Sequence, residues 1–199
     1  MSIAGEKPIK LILASGSSFR QSLLQRLNIP FSIISPEIDE SPLPGELPET
    51  LVLRLAEAKA AKVAEREPAA QIIGSDQLAT LEGKILGKPG TYEQAFRQLS
   101  EMSGASVRFF TGVCLLNSSN GNKHLACILN DVHFRQLSAQ EIERYLNSEE
   151  PFQCAGSFKS EALGITLIEK IDGPDPTALI GLPLIKLSEM LRNENYNLP

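Results

Sequence analysis

Residues 11–20 read LILASGSSFR, and this stretch decides the fold of the N-terminal part of the chain. The apolar run from Ile9 to Ala14 predicts a buried strand, and a helical spacing of apolar residues begins at Phe19. A turn of small residues, Ser-Gly-Ser-Ser, separates the two. Strand, turn and helix in this order are typical of a phosphate cradle, because a helix N-terminus offers unpaired N–H groups and a positive dipole end.

Three side chains strengthen this interpretation. Ser15 and Ser17 add hydroxyl donors, and Arg20 adds a guanidinium whose planar fork suits phosphate oxygens. The alternative is an ordinary helix with Ser17 as its N-cap. Neither the Walker nor the Rossmann glycine pattern is present, so the stretch alone leaves both interpretations open.

Length and composition narrow the class of protein. The chain has 199 residues, which suits one domain or two small lobes around a cleft, and a net charge of −5. We therefore expect no nucleic-acid partner, because non-specific binding to DNA or RNA needs a basic surface. Three widely spaced cysteines show no metal or redox pattern and predict reduced, buried thiols. Without a signal peptide or membrane-spanning segment in the sequence, we expect a cytoplasmic protein with no membrane partner.

Apolar periodicity predicts helices that alternate with strands of both parallel and hairpin type, so the fold class is mixed α/β. Ser138 and Glu141 form a capping-box pattern at the start of one helix. The hairpins are expected over residues 77–86 and 107–134. The predicted helices cover residues 19–27, 48–66, 92–102, 138–146 and 184–192, and the other strands cover residues 31–35, 72–75 and 165–170.

Two charged residues occupy unusual places in this pattern. Asp76 follows the apolar strand at 72–75, where open α/β sheets place ligand-facing groups, although a lone Asp there is also a common turn former. Lys59 continues the apolar spacing of Leu51 and Leu55 along a helix. It either reaches to solvent from the edge of the stripe or binds a buried anion. Because a lysine there costs desolvation, we expect its removal to leave the melting temperature similar or higher.

Three further segments carry charged residues in constrained loops. Lys88 lies between Gly87 and Pro89, where proline would aim it into a cleft, or else it is a solvated turn residue. The acidic stretch around Glu40 lies in a proline-rich loop, and such carboxylates are either solvated or hold magnesium or manganese. Glu161 lies in a glycine-bounded loop and is either an exposed charge or a ligand contact.

Together these segments resemble the Maf family of nucleoside triphosphate pyrophosphatases over nearly the whole chain. The family pattern Ser-x-Ser-Pro-Arg-Arg is replaced here by Ser-Gly-Ser-Ser-Phe-Arg. The other motifs follow in the family's order. The matching segments are 15–20, 39–40, Lys59, 74–76, 88–89, 131–135, 154–161 and 180–183.

The aromatic residue Phe19, which departs from the general family pattern, resembles the pattern of one subfamily. Proteins similar to 7-methyl-GTP pyrophosphatases carry an aromatic residue at the position of Phe19, a Gln after the catalytic Asp, and a Glu in the late loop. Gln77 and Glu161 match the latter two. The pyrimidine-specific subfamily instead keeps the arginine and has Asp-Thr. An aromatic face and a carboxylate both suit a cationic 7-methylguanine ring.

The resemblance implies an enzyme that hydrolyses 7-methyl-GTP to 7-methyl-GMP and pyrophosphate. The alternatives are a dTTP/UTP pyrophosphatase and a non-enzymatic nucleotide-binding module linked to cell division. The implied fold is a single two-lobed domain over residues 1–199, similar to inosine triphosphatase, with a mixed parallel and antiparallel sheet and a central cleft, and a homodimer is compatible with it.

The resemblance also implies a role for each candidate residue. Asp76 would be the general base, and Glu40 and Asp76 would hold a divalent cation, Mg or Mn. The base of the nucleotide would be selected by Phe19, Gln77 and Glu161. The triphosphate would be bound by Ser15, Ser17, Arg20, Lys59 and Lys88.

Overall fold

The computed structural model describes residues 9–199 and confirms the opening motif. Strand β1 (Lys10–Leu13) leads through the serine turn into helix α1 (Ser18–Gln25), and the Ser17 side chain accepts a hydrogen bond from the Arg20 N–H as N-cap. The expectation about a signal peptide concerns residues 1–8 and lies outside the described residues. No helix in the described part is long and apolar enough to cross a membrane.

A seven-stranded mixed sheet forms the centre of the fold. Besides β1, its strands within residues 9–199 are β2 (Ser32–Ile33), β3 (Ala70–Leu81), β4 (Lys84–Leu86), β5 (Ser106–Asn117), β6 (Lys123–Phe134) and β7 (Ile168–Asp172). The strand order is β2-β1-β3-β5-β6-β7, and β4 pairs with β3 along part of its length. The pairs β1–β2 and β1–β3 are parallel, and the remaining pairs are antiparallel, so the predicted α/β class with a mixed sheet is confirmed.

Four further helices match the sequence prediction closely. The capping box predicted from Ser138 and Glu141 is present, with both reciprocal hydrogen bonds. The helices are α2 (Pro48–Ala64), α3 (Tyr92–Met102), α4 (Ala139–Glu149) and α5 (Leu184–Asn193), and the 3₁₀ turns are Ala155–Ser157, Leu163–Leu167 and Pro176–Ile180.

Three predicted strands differ from the structure. The strand expected over residues 31–35 is limited to Ser32–Ile33. Asp76 does not follow a short strand, because β3 continues through it and pairs with β5 from Gln71 to Thr80. The polar side chains in the middle of β3 are tolerated because they are hydrogen-bonded: the Ser75 hydroxyl donates to two carbonyls, and Asp76 accepts from Lys59. The last strand begins at Ile168 instead of Ile165, since the preceding residues form a 3₁₀ turn. Short apolar runs fit either structure.

The core divides into clusters on either side of the open edge of β3. Helices α1 and α5 cover one face of the β1–β3–β5 region, and α2 covers the opposite face. Helices α3 and α4 cover a second region around Phe109, Phe134 and Phe158. The cysteines carry no disulfide: Cys114 is buried as expected, whereas Cys127 and Cys154 are only half-buried.

Helix α2 packs unusually close to the sheet. A Cβ atom on Gly74 would lie 2.0 Å from the Ala56 carbonyl oxygen, and one on Gly112 would lie 2.3 Å from the Val52 carbonyl oxygen. Real Cβ atoms do not approach oxygen this closely, so glycine is required on both strands. Because Gly112 is the register partner of Asp76, this close approach brings the helix backbone next to Asp76.

Candidate active site

A cavity of about 540 Å³ opens where the sheet has a gap. Strand β1 stops pairing with β3 at Ile73, and β4 begins to pair with it only at Ala79. Among residues 9–199, no strand pairs with the intervening part of β3 on that side, and Asp76 and Gln77 line the cavity there. These two side chains reach the cavity from the middle of β3, where its edge is unpaired in the described chain, and not from the end of a strand.

Lys59 binds both predicted carboxylates. Its Nζ lies 2.6 Å from Asp76 Oδ1 and 2.8 Å from a Glu40 carboxylate oxygen. Lys59 is 5% exposed and Asp76 is 8% exposed, whereas the Glu40 side chain is more than half exposed. Of the two interpretations of Lys59, the structure favours the buried anion partner. We therefore revise the expectation about stability: removal of Lys59 would leave Asp76 buried without this counterion and should destabilise the fold.

The serine turn and α1 form one wall of the cavity. Ser15 Oγ accepts from the Ser17 N–H at 3.1 Å and from Arg20 Nη1 at 3.4 Å. Ser17 is both the helix cap and a cavity-lining residue, so the two interpretations of this stretch are compatible. Within the described chain, the N–H groups of Ser18 and Phe19 have no hydrogen-bond partner, as is usual in the first helical turn, and they are free to bind an anion.

Positive charge surrounds the carboxylates. Burial lowers the pKa of Arg20, although the nearby charges of Asp76 and Glu40 oppose this effect. Partial burial raises the pKa of Glu40, but the hydrogen bond and charge of Lys59, with the charges of Lys88 and Arg20, outweigh burial and hold that pKa below its ordinary value. Glu40 is therefore a carboxylate at neutral pH.

The expected divalent cation can be compared with these two carboxylates. Residues 9–199 contain no group of three or more His, Cys, Asp or Glu side chains placed to bind a metal ion. A divalent cation bound to Glu40 and Asp76 would take its other ligands from phosphate oxygens and water. This is the ordinary arrangement for Mg²⁺, which is commonly held by one or two carboxylates and substrate phosphates, so the residues fit the cation.

The third 3₁₀ turn orients side chains from helix α1 and strand β3. Gly181, in the left-handed region at φ 119°, ends this turn, and its carbonyl accepts from Arg20 Nε at 2.8 Å and from Ser75 Oγ at 2.9 Å. The carbonyls of Ala178 and Leu179 accept from Gln77 Nε2 at 2.7 and 3.0 Å. Since carbonyls only accept, the Gln77 amide nitrogen must face the turn, which leaves Gln77 Oε1 for the cavity.

A smaller cavity of about 130 Å³ adjoins the first and contains the remaining predicted residue, Glu161. The two cavities share several lining residues, including Phe19 and Gln77. The loop that carries Glu161 is held by the Tyr145 hydroxyl, which donates to the Ser157 carbonyl and accepts from the Lys159 N–H. The three residues predicted to select the base thus meet in one subsite.

The structure brings all ten predicted residues to these two cavities, and it adds contributors that the sequence analysis missed. Gln153 lines both cavities, and its only sequence signal is its place directly before the 154–161 motif. Ser75 and Thr111 hold the third 3₁₀ turn, because each donates to one of its carbonyls. Thr111 carries no signal, since it contacts this turn only across the folded sheet.

A mixed sheet, a helix N-terminus with free N–H groups, and a paired lysine and aspartate in the wall of the main cavity fit an enzyme of mixed α/β class that acts on a nucleotide. A family model described as Maf-like protein matches residues 10–194, so the chain belongs to the Maf family. It is 52% identical over 196 residues to the 7-methyl-GTP pyrophosphatase of Nitrosococcus oceani, covering 98% of each chain. The protein of the same name from Pseudomonas fluorescens is 51% identical over 191 residues, which are 96% of this chain and 100% of that protein. The one from Aromatoleum aromaticum is 52% identical over 190 residues, which are 96% of this chain and 98% of that protein.

Proposed function

We propose that this protein is a pyrophosphatase that hydrolyses 7-methyl-GTP to 7-methyl-GMP and pyrophosphate. The observation that carries the proposal is the meeting of two carboxylates and three cationic side chains in one cavity, beside a subsite with an aromatic ring and a carboxylate. The names of relatives that are 51–52% identical over nearly the whole chain support the same activity.

The cationic wall of the cavity binds the triphosphate. Arg20, Lys59 and Lys88 supply positive charge, and the serine turn supplies hydroxyl and N–H donors to phosphate oxygens. Phosphoryl-type transfer depends mainly on positioning and charge neutralisation, which matches this set of groups. The substrate would lie with its phosphates toward α1 and its base toward Glu161.

Asp76 acts as the general base in the proposed reaction. A water molecule attacks the α-phosphorus, the bond from that phosphorus to the bridging oxygen breaks, and pyrophosphate leaves. Asp76 takes the proton of the attacking water. One oxygen of Asp76 is engaged by Lys59, and its other oxygen has no hydrogen-bond partner in the described chain, so it can face the water.

We also propose that a divalent cation, Mg or Mn, assists the reaction. Glu40 and Asp76 would hold it together with substrate oxygens. When bound, such an ion polarises the phosphoryl oxygens and neutralises charge that develops on the leaving group.

The base subsite favours a ring that donates hydrogen bonds. Gln77 presents only its carbonyl oxygen, and the Glu161 carboxylate also only accepts. Guanine offers N1–H and N2–H₂ as donors, so both residues suit it. The positive charge of 7-methylguanine adds attraction to the exposed Phe19 ring and to Glu161.

A pyrophosphate-release assay over 7-methyl-GTP, GTP, dTTP and UTP, with Mg²⁺ or Mn²⁺ added, tests the proposal. We expect the highest kcat/KM for 7-methyl-GTP and loss of turnover in Asp76→Asn. A preference for dTTP or UTP would identify the pyrimidine specificity instead. Nucleotide binding without any pyrophosphate release would favour the non-enzymatic module.

Two wider expectations belong to the same proposal. The protein would act in the cytoplasm on a free nucleotide, and it would do so as a homodimer. Sedimentation of the purified protein measures the oligomeric state, and fractionation of cells measures the compartment. A monomer in sedimentation would contradict the dimer without affecting the proposed reaction.

A further inference from the structure

The loop that carries Glu40 has a defined shape although it contains no helix or strand. Within it, Pro44 and Gly45 form the centre of a tight turn, with Gly45 at φ 73° and the Glu46 N–H donating to the Leu43 carbonyl at 3.0 Å. Proline followed by a residue with positive φ is typical of a type II turn. The Leu43 N–H in turn donates to Glu46 Oε2 at 3.0 Å, so the turn fixes the Glu46 carboxylate.

Arg54 of helix α2 holds this loop by hydrogen bonds. Its Nε and Nη2 donate to the two Glu46 carboxylate oxygens at 2.6 and 2.7 Å, which is a bidentate fork. The hydrogen bond from Arg54, followed by one from the Leu43 N–H, lowers the pKa of Glu46 to about 2, so the fork persists over the whole neutral range. Arg54 Nη2 also donates to the Ser41 carbonyl at 3.0 Å.

These contacts act next to Glu40. Ser41 is its chain neighbour, and the Ser41 N–H donates to Asp39 Oδ1 at 2.9 Å, which closes a turn around Glu40. Within the described chain, the hydrogen bonds and ion pairs that join residues 36–46 to other elements come from Arg54 and Lys59. Ile38 packs against the apolar cluster of α2 and β3, and Lys59 binds Glu40 itself. Arg54 therefore provides the polar contacts that hold the part of the loop after Glu40.

We propose that Arg54 is a positioning residue for the hydrolysis, because it fixes the acidic loop so that the Glu40 carboxylate stays in the cavity. This inference rests on the role of Glu40 in the proposed function. Arg54 itself does not line the cavity, so it acts through the loop. Lysine cannot replace it, since an ammonium cannot form the fork with Glu46 and also bind the Ser41 carbonyl.

The experiment compares Arg54→Gln in the wild-type background and in a Glu40→Gln background. Supporting groups of this kind change activity or metal affinity by about 10–100-fold when they are removed. We expect Arg54→Gln to lower kcat/KM at least about tenfold and to raise the Mg²⁺ concentration for half-maximal activity, whereas it has less than about a twofold effect once Glu40 is already Gln. A residue that merely stabilised the fold would impair both backgrounds equally.

A second readout does not depend on activity. Hydrogen exchange of the Ser41, Leu43 and Glu46 amides should accelerate in Arg54→Gln, while exchange in β3 stays unchanged. Lys62→Met is the matched control, because it removes an exposed ion pair with Glu65 from the same helix, and it should alter neither kinetics nor loop exchange. Glu46→Gln removes the carboxylate partner of the same fork. If Arg54→Gln does not fold, the kinetics of Glu46→Gln test whether the fork positions Glu40.

The outcomes separate this inference from the proposed function. If Glu40→Gln impairs turnover while Arg54→Gln and Glu46→Gln both retain wild-type kinetics, the inference is overturned and the proposed function stands. Equal losses from Arg54→Gln in both backgrounds overturn it as well. If Glu40→Gln itself has wild-type kinetics, the role of Glu40 and the inference built on it both fail.

Discussion

Replacing Lys59 with methionine would remove the ammonium that neutralises Asp76 and would leave the carboxylate in the wall of the protein. The two groups are 5% and 8% exposed and lie 2.6 Å apart, so this is a largely buried ion pair. Removing one partner of a buried pair costs about 3–5 kcal/mol. Asp76 lines an open cavity that admits water, so the lower end, about 3 kcal/mol, applies.

The double variant Lys59→Met/Asp76→Asn provides the decisive comparison. It buries neither charge, and well-packed neutral replacements of buried ion pairs are often neutral or stabilising. We therefore expect it to be about as stable as the wild type, whereas Lys59→Met alone melts about 6–12 °C lower, at 2–4 °C per kcal/mol for a chain of this size. Both variants should lose turnover.

Urea unfolding of the wild type, the two single variants and the double variant at neutral pH measures the coupling energy between the residues. Lys62→Met on the same helix is the control, because its ammonium is exposed and pairs only with Glu65 in the described chain. If Lys59→Met is as stable as the wild type, the pairing argument is refuted and Lys59 is a side chain at the edge of the apolar stripe.

Three further predictions follow from the packing, the base subsite and the helix cap. Gly74→Ala would force α2 away from β3 and should cost about 1–3 kcal/mol with a loss of turnover, measured by urea unfolding and pyrophosphate release. Glu161→Gln should lower kcat/KM for 7-methyl-GTP about 10–100-fold, equivalent to about 1–3 kcal/mol, and affect UTP less. Glu141 accepts hydrogen bonds from the Ser138 N–H and, second in effect, from Arg135, and these lower its pKa to about 2. The ionised Glu141 side chain therefore stabilises the fold fully above about pH 4.5, and this contribution disappears as the pH falls toward 2. The stability difference between wild type and Glu141→Gln should therefore shrink over that interval.

Each of these predictions has an outcome that contradicts it. Wild-type stability in Gly74→Ala would show that the close approach of helix and strand is not required. An equal loss for 7-methyl-GTP and UTP in Glu161→Gln would place this carboxylate outside base selection. A stability difference for Glu141→Gln that persists unchanged at pH 2–3 would assign its effect to something other than its charge.

Local patterns account for the parts of the fold that the sequence predicted correctly. Helices α3 and α4 begin and end near their predicted boundaries because caps and apolar spacing are short-range signals. Strand β3 was divided wrongly because Ser75, Asp76 and Gln77 look like an interruption in the sequence. They remain in the strand because β5 pairs with it throughout while β1 stops, and that arrangement depends on distant parts of the chain.

The same distinction applies to the site. The family motifs predicted residues that lie together in the two cavities, but nothing local indicated how they are held. The Gln77 amide is oriented by carbonyls about a hundred residues away, and Arg54 grips a loop that sequence analysis described only as acidic and proline-rich. Such contacts depend on tertiary packing, which residue spacing does not encode.

Helix α2 carries both residues that fix the acidic loop and the Asp76 carboxylate. Arg54 and Lys59 are five residues apart, which rotates them by about 140° around the helix, so one faces the acidic loop and the other faces β3. The glycines of β3 and β5 set the height of the same helix above the sheet. A shift of α2 would therefore move the Lys59 contact of Glu40 and the Arg54 contacts of its loop together. Perturbations at Gly74, Arg54 and Lys59 should be non-additive in kcat/KM, whereas Ser138→Ala, in a distant cap, should combine with each of them additively.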